Sequence, residues 1–227
     1  LPLYLAQIQG YSPLQIGEVI AWLGLPQLFI VPFVPKLMQR FDIRLLIAVG
    51  VSLFAVSCFM NSTMTNQTGI DQLRLSQLVR AFGQPLIFVP LSSIATAGIE
   101  KEQAGSASGL FNMMRNLGGS IGIAAIATLL TRREQFHSNQ LGESVSLYNP
   151  ETQQRINQLT QYFISRGADL STASDRAIAS IDNTVRREAF VMAFNDCFYF
   201  IAWTLLLSSI AILFFKKTKA TGGAGAH

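Results

Sequence analysis

Apolar residues in this chain fall in long unbroken blocks instead of alternating with polar ones. The hydrocarbon core of a bilayer is about 30 Å thick and takes roughly 20 apolar residues per helix. Residues 104 to 130, AGSASGLFNMMRNLGGSIGIAAIATLL, meet that length and carry one arginine, Arg115, near the middle. Four more runs qualify: Leu14 to Pro35, Leu45 to Met64, Leu75 to Ile99 and Ala189 to Phe215. The pattern predicts an all-α membrane protein with five full spans. The first nine residues, LPLYLAQIQ, read as the end of a sixth span, since the chain opens without methionine inside an apolar segment. It therefore reads as a C-terminal fragment, and no charged n-region with a small-residue cleavage site marks a signal peptide.

Between the fourth and fifth spans, residues 131 to 187 break the apolar pattern and carry helical signals. Asn149, Pro150 and Glu151 read as an N-cap, an N1 proline and a first-turn acid. Ile156, Leu159, Phe163 and Ile164 then recur at helical spacing. A second start is expected at Thr172, with Asp175 three residues on, and Ala177, Ile181 and Val185 form a stripe running into the last span. The expected organisation is spans over 1–130, a loop with two short helices over 131–187, the last span over 188–215 and a flexible tail over 216–227. The loop reads either as a solvated connector packed on the membrane domain or as a docking surface for a partner.

Composition agrees with the span pattern, because half the residues are hydrophobic and only 13% are charged. Cys58 and Cys197 fall inside apolar spans without a CxxC pair and read as packing residues. His137, placed in a polar loop, and His227, in the tail, have no second ligand at helical spacing, so no metal or cofactor is implied. The net charge of +4 comes from Lys and Arg spread over loop ends without interleaved aromatics, a pattern of lipid headgroup contact and not of nucleic-acid binding. Seven cations (Lys36, Arg40, Arg44, Lys101, Lys216, Lys217 and Lys219) fall on one side and only Arg74 in the short loop opposite, favouring a cytoplasmic C-terminus. Arg132, Arg133, Arg186 and Arg187 flank the spans on the expected outer side and oppose that count.

Inside the spans, polar and helix-breaking residues stand out. Pro26, Pro32 and Pro35 crowd one helix and Pro85 and Pro90 another, freeing carbonyls that neighbouring helices or cavity water must satisfy. Gly105 with Gly109, and Gly118 with Gly122, are small-xxx-small pairs expected at close helix crossings. Arg80, Arg115 and Asp196 lie within apolar runs, where a charge costs about 3 kcal/mol on insertion scales. Asn112, Arg115, Asn116 and Gly119 share one helical stripe, expected to turn inward, and Glu18, Gln27 and Gln84 add further pathway candidates. Arg80 and Asp196 both lie seven residues into their spans, about 10 Å below the outer interface. Their matched depth predicts an ion pair of structural role.

Two stretches, RAFGQPLIFVPLSSIATAGI and EQAGSASGLFNMMRNLGGSIGIA, closely resemble the fourth and fifth helices of the C-terminal domain in 14-span drug:proton antiporters of the major facilitator superfamily, the EmrB/QacA type. The opening LPLYLAQIQGYSPLQIGEV and the late AFNDCFYFIAW are similar to that family too, so the resemblance covers nearly the whole chain. It implies a C-terminal six-helix bundle holding the end of helix 9 and helices 10 to 14, with 131–187 as an outer loop. It also implies that helices 10, 12 and 13 border a central cavity, while 11 and 14 are peripheral. One motif departs from the family. The cytoplasmic loop signature falls on PKLMQRFDIR, where Arg40 and Arg44 match, and Pro35, Gln39 and Asp42 replace the glycine, aspartate and second glycine. That departure puts a full gating charge relay in doubt. The proton-carrying acids resemble nothing in this chain.

What the resemblance implies is a transporter of the inner membrane, exporting drugs or other small amphipathic compounds against protons by alternating access. Its partners would be the lipid bilayer, a small-molecule substrate and protons, with a periplasmic adaptor protein as an additional one. The alternative is a membrane-anchored docking component of a multi-protein export complex, with 131–187 as its interaction surface. No nucleophile, base or metal cluster points to an enzyme.

Overall fold

The computed structural model describes residues 1–96, 103–146 and 148–214. The expected span end at Ile99, Lys101, Phe215, and the tail with Lys216, Lys217, Lys219 and His227 lie outside them. The described residues form helices without strands: α1 (Pro2–Gln7), α2 (Pro13–Ile30), a 3-10 turn (Val31–Phe33), α3 (Val34–Arg40), α4 (Ile43–Asn61), α5 (Ile70–Thr96), α6 (Ala104–Ser144), α7 (Pro150–Ser165) and α8 (Leu170–Phe214). Five helical segments are long and apolar enough to cross a membrane.

Local chemistry sets most boundaries. Ser12 caps α2 in a capping box with Gln15, and Pro13 sits at the first helical position, where its missing N–H costs nothing. Pro32 and Pro35 interrupt the ladder, so the segment tightens into the 3-10 turn before α3 continues. Pro85 and Pro90 leave α5 unbroken. This helix starts five residues before the expected Leu75, which places Arg74 on it, paired with Asp71 at 2.9 Å and lying over the Trp22 ring.

α4 is the centre of the bundle, packed between α5 and α8. Half of its apolar stretch is buried, against 6% for the stretches containing α2 and α6. The α4–α5 crossing is the close one. A Cβ on Gly83 would lie 2.7 Å from the Gly50 carbonyl oxygen, and one on Gly50 would lie 2.8 Å from that of Gly83. The expected small-residue crossings do not occur among the described residues, because Gly105, Gly109, Gly118 and Gly122 all face open space. Ser209 adds a polar tie, donating to the Ala48 carbonyl at 3.0 Å. Cys58 and Cys197 are free and buried.

The segment after residue 130 differs from the expected loop. α6 continues through 131–144, because nothing from Thr131 to Ser144 is a proline and the chain stays helix-compatible after the apolar run ends. At 41 and 45 residues, α6 and α8 are about 60 and 70 Å long, twice the hydrocarbon thickness. Their ends and α7 form a three-helix projection. Asn149 caps α7 through the Glu151 amide, and Gly167, at φ 91°, turns the chain back. α8 starts at Leu170, capped by Asp169, whose carboxylate takes the Thr172 amide and Ser171 hydroxyl. The expected start at Thr172 is thus two residues late, since the Asp169 carboxylate is already in place to satisfy the free amides of the first turn. From there α8 runs unbroken into the membrane.

Candidate functional site

Three of the polar residues singled out in the spans meet on the side of the bundle formed by α2, α5 and α6. Gln27 Nε2 donates to Gln84 Oε1 at 2.8 Å, joining α2 to α5. Phe88 stands one turn after Gln84, and the Arg115 guanidinium of α6 lies over its ring at 5.9 Å. The result is a strip of two amides, an aromatic face and a cation across three helices. Asn112 and Asn116 flank Arg115 on exposed positions, and neither side chain makes a hydrogen bond within the described residues. The inward turn expected for this stripe is not an enclosure by these helices, for Arg115 is exposed in the chain. Glu18 is also exposed, nine residues before Gln27 and so about 13 Å further along the helix. It does not join the strip.

Arg115 has no anionic partner among the described residues. A guanidinium on a mostly apolar face, stacked on a ring and without an anionic partner among the described residues, is available to an anionic or polar group. Large apolar side chains are exposed on the same helices: Met113, Met114 and Leu117 beside Arg115 on α6, and Leu28 and Phe29 beside Gln27 on α2. The face can therefore hold an amphipathic molecule by both of its parts.

The Arg80–Asp196 ion pair expected from their matched depths does not form. Arg80 lies over the Phe54 ring of α4 at 4.5 Å, and its Nε is buried without a hydrogen-bond partner. Asp196 instead takes both of its partners from α6: Arg133 Nε donates to Oδ2 at 2.7 Å, and His137 Nε2 is 2.6 Å from the same oxygen. α4 lies between α5 and α8, so the helices that carry Arg80 and Asp196 are not neighbours. The helical continuation of α6, which packs on α8, brings an Arg and a His, four residues apart, against Asp196. His137 was missed as a site residue because it was placed in a loop; its spacing from Arg133 was the available signal.

In the loop motif, Asp42 is the N-cap of α4, accepting from the Arg44 amide at 3.2 Å, and its carboxylate is 3.9 Å from Arg44 Nε. Arg40 ends α3 on an exposed position. Asp42, which stands at the place of the motif's second glycine, serves here as a helix cap.

Polar ties also fasten the loop between α4 and α5. The Asn195 amide of α8 accepts from Met64 N at 3.1 Å and donates to Met64 O at 2.8 Å. Tyr4 donates to the Thr65 carbonyl, Asn66 to Glu188, and Arg187 to the Ile8 carbonyl at 2.8 Å. Among these, sequence reasoning singled out only Arg187, as a flanking charge.

Residues 1–123 match the model of the Major Facilitator Superfamily. The chain is 28% identical over 227 residues to the multidrug export protein EmrB of Escherichia coli K12, covering 99% of this chain and 43% of that protein. It is 26% identical over 219 residues to the colistin resistance protein EmrB of Acinetobacter baumannii, covering 96% and 42%. It is also 26% identical over 228 residues to the fatty acid resistance protein FarB of Neisseria gonorrhoeae, covering 100% and 43%. The chain thus spans about two-fifths of the length of the curated relatives it matches.

Proposed function

The chain belongs to the major facilitator superfamily, and from that premise we propose that it is the C-terminal part of an exporter that moves small amphipathic compounds or drugs out across the inner membrane by alternating access, driven by protons. The observation that carries this reading is the uncompensated Arg115 on an apolar, uncovered face beside the Gln27–Gln84 pair. Arg80 likewise has no acidic partner among the described residues, but it is packed beside Phe54, whereas Arg115 lies on an open face where a charge is available to a ligand. We place the transport cavity against this face, with Arg115, Asn112, Asn116, Gln27 and Gln84 lining it and Glu18 at its margin. The names of the relatives, multidrug export and fatty acid resistance, agree with a site holding one charge amid apolar side chains.

The test is extrusion of radiolabelled oleate, an amphipathic anion, by the full-length protein in cells energised with a proton gradient. Losing a charge-assisted hydrogen bond costs about 1.5–3 kcal/mol, so Arg115→Ala is expected to raise KM for oleate at least about tenfold with surface expression unchanged. Arg115→Lys should recover part of it, as the charge remains without the planar fork. Extrusion that survives Arg115→Ala but is lost when 149–165 is deleted would favour the docking reading. That reading has one observation behind it: α7 presents Gln154, Asn157, Gln158 and Gln161 outward on an exposed face. Extrusion that persists after the proton gradient is collapsed would refute the coupling.

A further inference from the structure

α6 is 41 residues long, and among its described side chains only one is buried: His137, at 7% exposure. Its membrane half, from Gly105 to Leu130, has no buried residue at all. Apolar packing therefore does little to fix how far α6 slides or turns against its neighbours. The firm attachment is polar and sits at one level. Arg133 and His137 are four residues apart, on the same face one turn above the other, and both bond to the single oxygen Oδ2 of Asp196 at 2.7 and 2.6 Å. Two donors on successive turns that converge on one acceptor restrict rotation of α6 as well as its axial position. With the carboxylate as acceptor, His137 donates from Nε2 and Nδ1 is left buried without a partner. The Arg133 guanidinium also lies over the Phe136 ring at 5.3 Å, and that ring meets His137 edge-on at 5.4 Å. The two bonds to Asp196 are the side-chain hydrogen bonds that join α6 to another helix among the described residues.

We propose that Arg133, His137 and Asp196 are positioning residues for transport: they clamp α6 to α8 at a fixed point and so set where Arg115 stands on the transport face. This rests on the reading of that face given above. Arg115 is 18 residues from Arg133 and 22 from His137, about 27 and 33 Å along a helix free of proline. Over such an arm a tilt of about 5° moves Arg115 by about 2 Å. A displacement of that size is enough to weaken a charge-assisted contact with substrate.

The test uses the full-length protein with nitroxide labels at Ser106→Cys on α6 and Ser208→Cys on α8, both exposed positions far from the clamp, while the native thiols are buried. Arg133→Asp and Asp196→Arg are each expected to broaden the label-to-label distance distribution and to raise KM for oleate about tenfold, with a smaller change in kcat. The double exchange, which rebuilds the pair with its charges reversed, should narrow the distribution and restore KM towards the parent. His137→Gln, which keeps a donor on the same turn, should fall between. If a charge reversal fails to reach the membrane, Asp196→Asn is read on the same labels. Single variants that leave both the distribution and KM unchanged would overturn the clamp, as would a double exchange no better than the worse single. The distance readout needs no substrate. A clamp that responds as described, beside an Arg115→Ala variant that transports normally, would sink the transport-face reading alone.

Discussion

Gly83 has no room for even one methyl group. A Cβ there would approach the Gly50 carbonyl to 2.7 Å and the Leu53 Cβ to 3.0 Å, both on the backbone-proximal surface of α4, which cannot swing aside as a flexible side chain could. Gly83→Ala should therefore push α4 and α5 apart and cost roughly 1–3 kcal/mol, seen as a lowered midpoint of thermal unfolding in detergent. Gly118→Ala meets open space within the chain and should leave the midpoint unchanged. Arg80 and Arg115 make a second contrast at this scale. Both are arginines in apolar runs stacked on phenylalanine, yet Arg80 is tucked beside Phe54 between α4 and α5 while Arg115 faces outward over Phe88. Residue type and depth alone do not separate them.

Each helix start that carries a side-chain cap uses Ser, Asp or Asn: Ser12, Asp42, Asn149 and Asp169. The Asp169 carboxyl is held well below the usual carboxylate range by the Ser171 hydroxyl, then by Thr172. A lowered value in the folded chain means the cap is at full strength above the unfolded carboxylate value, near about 3.9, and is lost as pH falls through the lower folded value. Hydrogen exchange at the Thr172 and Ala173 amides should accordingly stay slow from neutral pH down to about pH 4, after correction for intrinsic rates, and quicken only in stronger acid. Asp169→Ala should make it fast throughout. α7 was visible in the sequence because Asn149-Pro150-Glu151 combines three independent start signals. The prolongation of α6 past Leu130 was not, because Thr131 to Ser144 is polar and a polar helix owes its stability to neighbours that a sequence does not display.

Across the whole molecule, polar side chains fasten what apolar packing leaves loose. Asn195 holds both backbone groups of Met64, and with Tyr4, Asn66, Glu188 and Arg187 it ties α1, the α4–α5 loop and α8 together. Asn195→Ala would strip the Met64 amide of its partner, costing about 1–3 kcal/mol locally. Limited proteolysis should then cut within 62–69 at a rate the parent does not show. The same arrangement leaves α2 and α6, the helices that carry Gln27 and Arg115, sparsely covered.

The chain's own order of residues was enough to establish an all-α membrane protein, its five apolar spans, the α7 start and the family resemblance. Each of these depends on run length, periodicity or local capping, which act between residues near in sequence. Which polar groups in the spans find one another was decided only in three dimensions. Gln27 bonds Gln84 across 57 residues, and Asp196 takes Arg133 and His137 across 63 and 59. Such pairings depend on how each helix is rotated about its axis and how it crosses its neighbours. Those angles are set by close contacts such as Gly50 against Gly83, where the fit of two surfaces, not the composition of either, determines the outcome.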